Sequence, residues 1–403
     1  MHRFLSLGLA IVAATMFTGA DWLQFRSADT TGIAQGPTPP VSWSEDENVA
    51  WKAELPGRGL SGAIVIGDRV IVTASSGFEQ DRLHVLCFSD KTGEKLWERQ
   101  FWATGRTQTH KKMCVATPTP ASDGKHIFAF FSSNDLVCLD LAGDLMWYRA
   151  LGRDFPNASN SLGMASSPIL VDETLIVQVE SDDDAFATGI NIETGIARWK
   201  IDRPNKANWT SPALLKGGAN DGGNLVLLQS SKGVSAILPR TGKQLWSYDE
   251  GASTIPSSVV RGNTVFVPSH GITALRPVPG GESAPELLWQ QSSLAPSTAS
   301  PFVYDSHLFT VNRAGVVACA DLKTGKRLWQ LRLKGPFTSS PVAAGGHLFF
   351  FNEKGLGQVV KPGAKSGTIA GEGDLGETIL ATPAIANGAV YVRSDGHLWK
   401  IAK

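Results

Sequence analysis

The sequence predicts an all-β fold, a single eight-bladed β-propeller closed by strands from both ends of the chain. Three observations predict it. Lys91–Trp97, Glu193–Trp199, Arg240–Trp246 and Lys323–Trp329 share the frame x-Thr-Gly-x-x-x-Trp. With weaker copies ending at Trp147 and Trp289, and an early Trp51, these tryptophans recur about every 46 residues, a blade-sized period. The segments between them alternate with period two, as in Ala63–Val72 and His347–Phe351, which reads as short strands.

The elements follow in chain order. Met1–Arg3 is a basic head, Phe4–Phe17 an apolar run of about 14 residues, and Thr18-Gly19-Ala20 a small-residue cleavage site, so residues 1–20 read as a secretory signal peptide. The alternative is an uncleaved anchor. The run is short of the ~20 residues of a spanning helix, and no cysteine stands near the cut to carry a lipid. Residues 21–47 form a lead-in segment and 48–403 the propeller. Unit starts fall at Thr117-Pro118, Ser167-Pro168, Ser211-Pro212, Ser300-Pro301, Ser340-Pro341 and Thr382-Pro383, with Gly62-Ala63 and Ser257-Ser258 as degenerate versions. The ends are Trp97, Trp147, Trp199, Trp246, Trp289 and Trp329, with Ala370 in a degraded seventh copy. The eighth unit runs out of chain after three strands, whereas Trp51 is an end without a start. Asn48–Leu55 is therefore expected to complete the eighth blade beside strands from about Leu380–Ile401, which removes exposed sheet edges. In each frame the Gly supplies positive φ in a tight turn and the Trp carries apolar area into the contact between blades. That assigns Trp51, Trp97, Trp147, Trp199, Trp246, Trp289 and Trp329 to docking.

Composition excludes several functions. The 403 residues carry 37 basic and 37 acidic side chains, so no global field draws the chain to nucleic acid. The four cysteines, Cys87, Cys114, Cys138 and Cys319, form no C-x-x-C or haem motif. Three share one repeat position in separate blades and are expected as buried thiols. Asp182-Asp183-Asp184 lacks the glycine-punctuated spacing of a calcium loop and reads as a hairpin tip. Gly371–Gly376 matches G-x-G-x-x-G but opens no helix, and Gly59–Gly62 misses the nucleophile elbow. No catalytic residue and no metal ligand is assigned.

The Thr-Gly-x-x-x-Trp ends and Ser-Pro starts resemble the quinoprotein (PQQ-repeat) propellers over about residues 41–403. Within them the chain is most similar to exported BamB-like outer-membrane assembly proteins, and Asp21–Arg26 resembles the start of planctomycete-type PQQ-like proteins. The resemblance implies an exported binding or scaffold protein, periplasmic or extracellular, acting through protein–protein contacts. The alternative it implies is a PQQ-dependent oxidoreductase holding the quinone with calcium. The adjacent half-cystines of those enzymes have no counterpart here, so no cofactor is expected. The chain is expected to be a monomeric protein without a lipid anchor.

Function on a rigid scaffold is carried by loops. The long connectors lie early: Trp102–Met113 holds Arg106, His110, Lys111 and Lys112, the next holds Asn157 and Asn160, and the third holds Asn208 and Trp209. This basic and polar rim is the candidate site for an envelope protein or an acidic peptide segment. The competing reading is a set of solvated loops.

Overall fold

In the computed structural model, which describes residues 21–159, 162–219, 221–278 and 283–403, eight four-stranded antiparallel sheets surround a central channel. Residues 1–20, which the sequence reads as a signal peptide, and Asn160 lie outside the described residues. Blade one runs Ile64–Ile66, Arg69–Ser76, Arg82–Ser89 and Lys95–Trp102 from the channel outward, and the next six blades repeat this order. Blade eight takes three strands, Ala384–Ala386, Ala389–Arg393 and His397–Ile401, from the end of the chain and its outer strand, Val49–Glu54, from the beginning. The predicted closure is present.

Six of the docking tryptophans face the turn of the following blade. Six indole N–H groups donate to a backbone carbonyl there: Trp51 to Asp90, Trp97 to Leu141, Trp147 to Ile192, Trp199 to Pro239, Trp289 to Leu322 and Trp329 to Gly363, at 2.7–3.2 Å. The turn glycine lies directly under the ring. A Cβ on Gly93 would come 2.7 Å from Trp51, and its φ of +73° is one that side chains rarely adopt. Trp246 is buried in its own blade pair, but the facing turn of blade five includes residues outside those described.

Two positions differ from the sequence reading. In blade six Trp329 stands opposite Cys319, one place before the bulge, and the residue at this register position in blade seven is Gly371, opposite Val359, instead of Ala370. Insertion of residues in that hairpin hid the shift. Gly371 is bare because the lead-in backbone crosses it: an added Cβ would lie 2.2 Å from the Val41 carbonyl oxygen. Trp43, only 4% exposed, enters the sheet from the lead-in segment, packs over Gly357 and Gly373 and stacks on Phe351 at 5.5 Å. The missing tryptophan of blade seven is thus replaced by one from outside the repeat. In blade two the start is Thr119-Pro120, directly before the inner strand Ala121–Ser122, instead of Thr117-Pro118. The doubled Thr-Pro made the two indistinguishable in sequence.

These starts lock the blades at the channel wall. The backbone N–H of each start donates to the hydroxyl of the next: Gly62 to Thr119, Thr119 to Ser167, then on through Ser211, Ser257, Ser300 and Ser340 to Thr382, at 2.9–3.1 Å. Blade one offers Gly62, with no hydroxyl, so the eighth link cannot form. The fully buried Arg393 of blade eight supplies the seam instead, donating to the Ser61 hydroxyl at 3.1 Å and the Thr73 carbonyl at 2.6 Å. Gly59 leaves it room, since a Cβ there would lie 2.0 Å from the guanidinium. Farther out, Asp90 of blade one takes Lys400 at 2.7 Å and the Tyr391 hydroxyl of blade eight.

The lead-in segment crosses the channel. Trp22 bridges Val65, the Leu23 carbonyl accepts from Ser122, the Gln24 side chain accepts from Leu170, Thr30 accepts from Leu214, Arg26 donates to Pro301, and Gly32–Ala34 pairs with Ala343. Every one of these partners follows its blade's start residue, whereas the interblade connectors precede it. The segment therefore closes one end of the channel and the connectors surround the other.

Candidate functional site: the open channel mouth

The open end leads into a cavity of about 420 Å³. Its waist is the ring of start hydroxyls, Thr119 through Thr382. Phe25 of the lead-in segment faces it from the closed end, and Leu60, Met113, Leu162, Trp209, Ile255 and Leu380 supply apolar walls. The ionisable lining residues are His110 and Lys112, both on the connector from blade one to blade two.

The predicted site residues divide into three groups. His110, Lys112 and Trp209 do meet at this mouth. The His110 backbone N–H bonds to the Leu162 carbonyl at 3.0 Å, and the Trp209 indole N–H bonds to the Gly163 carbonyl at 2.8 Å, so the three long connectors brace one another. Arg106 and Lys111 are exposed on the same connector; Arg106 reaches the Gln108 side chain, and the Lys111 carbonyl accepts from Arg58. Asn157 is exposed beside the short helical turn Leu151–Asp154, away from the lining.

Two residues stand differently from the sequence reading. Lys112 is not a free cation for a partner: its Nζ lies 2.7 Å from Glu353 of blade seven, whose other oxygen accepts from Thr338. This ion pair ties the first connector to blade seven at the rim. Asn208 is buried, donates to the Gln229 carbonyl at 2.9 Å and accepts from Thr210. It is a strut beside the buried Arg203–Glu180 pair at 2.7 Å, where burial pushes the Glu180 carboxyl up against the opposing pull of Arg203. The partners lie 241 and 21 residues along the chain, and only the fold brings them together.

Sequence reasoning also missed the apolar part of this face. In blade one the second and third strands end and begin at this end of the channel, as does the fourth strand at Trp102. Phe78, on the turn between the second and third strands, is fully exposed at 102%, and Trp102 is 62% exposed with the Arg82 guanidinium 4.9 Å from its ring centre. Arg82 and Trp102 are cross-strand partners, so the contact is set by register. A Phe set among the polar residues of Gly-Phe-Glu-Gln-Asp was the one available signal, and it carries weight only with the exposure that the structure supplies. Among the described residues no group of three or more His, Cys, Asp or Glu is placed to hold a metal, and no helix is long and apolar enough to cross a membrane. The four cysteines are separate buried thiols, and burial raises Cys87, Cys138 and Cys319 to about 12.

Eight blades, interblade tryptophans and a hydroxyl-clasped channel define a propeller of the PQQ-like repeat class. The chain belongs to the family described as outer membrane protein assembly factor BamB, whose model matches residues 25–166, 161–276 and 281–360. The structure of BamB from Moraxella catarrhalis superposes with a TM-score of 0.63 at 16% identity, over 88% of this chain and 97% of that one. A europium-containing methanol dehydrogenase superposes with a TM-score of 0.70 at 14% identity, over 94% and 91%. At these identities the likeness is one of fold. A polyvinylalcohol dehydrogenase from Pseudomonas sp is 30% identical over 141 residues, which are 35% of this chain and 20% of that protein, so the match spans about a fifth of the relative's length.

Proposed function

We propose that the protein is an exported, non-enzymatic binding or scaffold protein of the cell envelope, which holds an acidic segment of a partner protein against the connector face of blades one and two. The observation that carries this reading is the concentration of uncovered binding chemistry there: Phe78, the Arg82–Trp102 stack, Arg106 and Lys111 share one end of the propeller. Exposed aromatic residues next to arginine are the composition of interface anchors, and the cations favour an acidic partner. Family membership supports a role in assembly.

The test replaces Arg106 and Lys111 by Glu and, separately, Phe78 by Ser, leaving Lys112 in its ion pair. Chemical cross-linking in the producing cell, followed by identification of the linked protein, is expected to lose the same partner with both variants at an unchanged melting temperature, because exposed charges contribute little to stability. Full recovery of the partner by both variants overturns the assignment of the face.

A second reading, a quinone-dependent dehydrogenase, draws on the match to polyvinylalcohol dehydrogenase. The residues present do not fit that group. Calcium takes six to eight oxygens, usually with carboxylates among them, and the cavity lining contains no Asp, Glu, Asn or Gln. Titration with pyrroloquinoline quinone and calcium, followed by alcohol oxidation with a dye acceptor, is expected to give no turnover. Turnover would establish the enzyme.

A further inference from the structure

We propose that the closed-ended channel is a binding site for an uncharged small molecule with an aromatic or alicyclic body and hydroxyl or carbonyl oxygens. The proposal does not depend on the partner reading above, because it concerns the interior of the channel and not its outer face. The cavity of about 420 Å³ is within the range of small-molecule sites.

The hydroxyl ring has a defined hydrogen-bonding surplus. A hydroxyl carries one donor and two lone pairs. In Thr119, Ser167, Ser211, Ser257, Ser300, Ser340 and Thr382 one lone pair is taken by the amide of the preceding blade. None of the seven O–H groups is given to a protein acceptor among the described residues, and all seven residues line the cavity. The clasp that closes the propeller thus leaves a belt of donors, each with a remaining lone pair, facing inward. A ligand bearing several oxygens meets this belt. Above and below it the walls are apolar, with Phe25 on the closed side and Met113, Leu60, Leu380 and Trp209 toward the mouth.

Charge selects against ions. No carboxylate lines the cavity, and of the two basic residues Lys112 is already neutralised by Glu353. An ion carried into such walls loses hydration without a carboxylate or a free ammonium to pair with. The lip is also apolar: Leu162 and Ile255 remain 44% and 47% exposed at the mouth, which the fold itself leaves unexplained. They are placed to cover the outer part of an apolar body once it is bound.

The test uses 2-naphthol as a neutral oxygen-bearing probe and 2-naphthoate as its anionic counterpart, with methyl-labelled methionine observed by NMR. Met113 lines the cavity, whereas Met146 is exposed on the outer strand of blade two. The expected result is saturable one-to-one binding of 2-naphthol that shifts the Met113 methyl and leaves Met146 unmoved, with 2-naphthoate at least about tenfold weaker. Ala165→Phe adds bulk at the cavity lining while leaving all seven ring hydroxyls in the sequence, and is expected to weaken 2-naphthol by a similar factor. If that variant does not fold, the two probes and the methyl shifts on the unaltered protein decide. Absence of saturable binding, a shift at Met146 instead of Met113, or naphthoate binding as tightly as naphthol overturns the proposal.

Discussion

Replacing Trp43 by Ala tests the substitution of an outside tryptophan for the one that blade seven lacks. A fully buried Trp removes about 200 Å² from water, worth about 5 kcal/mol at ~25 cal/mol/Å². Its indole N–H has no acceptor among the described residues, and losing that orphan returns about 1–2 kcal/mol. The expected net loss is about 3–4 kcal/mol, in keeping with large-to-small core changes. With an unfolding entropy of about 2 cal/mol/K per residue, the melting temperature is expected to fall by about 5 °C. Trp43→Phe keeps most of the contact with Phe351 and sheds the orphan, so it is expected to stay within about 1 kcal/mol of the parent. Urea unfolding followed by circular dichroism measures both, with a constant m-value showing that the transition keeps its character. The same reasoning predicts that restoring the repeat with Gly371→Trp destabilises, because its Cβ meets the Val41 carbonyl at 2.2 Å. A Trp43→Ala protein within about 1 kcal/mol of the parent, or a Gly371→Trp protein that melts higher, refutes the argument.

Arg393→Met is expected to cost about 3 kcal/mol through the loss of its charge-assisted bonds to the Thr73 carbonyl and the Ser61 hydroxyl across the seam, with hydrogen exchange in His397–Ile401 accelerating before that of other inner blades; uniform exchange across the blades would dismiss the seam role. Burial alone would raise the Glu98 carboxyl, but hydrogen bonds from Lys95, His84 and Gln100 prevail and bring it down from 4.5 to about 2. A depressed carboxylate stabilises the fold above its unfolded pKa, so this contribution is complete above about pH 5 and lost as pH falls through about 4.5 to 2. Glu98→Gln is expected to flatten the melting temperature against pH in that window alone, and an unchanged slope would contradict it.

The architecture was legible where residues repeat. Thr-Gly-x-x-x-Trp marks a turn and a docking ring that each blade needs, so the period, the strand count and the closure through Trp51 could be read from spacing. Trp22, Arg26 and Trp43 serve one contact each, and nothing periodic announces them; the lead-in segment therefore looked like a preface when it closes the channel. The site was legible only in its location. His110 and Trp209 reach the mouth because long connectors must emerge there, but the role of Lys112 depends on Glu353, 241 residues later, and that of Asn208 on the Gln229 carbonyl in another blade. Phe78 escaped notice because an apolar residue is informative only once its exposure is known.

The crossing of the channel by residues 22–34 also sets the order in which the molecule can be completed. Ribosomal synthesis makes this segment before any of the inner strands it touches, and Val49 must wait for Ile401 to pair. Trp22 finds Val65 in the first blade made, but Ile33 and Trp43 wait for blade seven. Contacts of such sequence separation make assembly slow and leave intermediate forms adhesive, and here the Ile33–Trp43 stretch remains uncovered until blade seven exists. A chain interrupted before blade seven would keep the clasps of Trp97, Trp147, Trp199 and Trp289, yet lose that of Trp329 and have nowhere to bury Trp43. The last two blades therefore act as a checkpoint on the whole, separating a row of folded sheets from a finished ring.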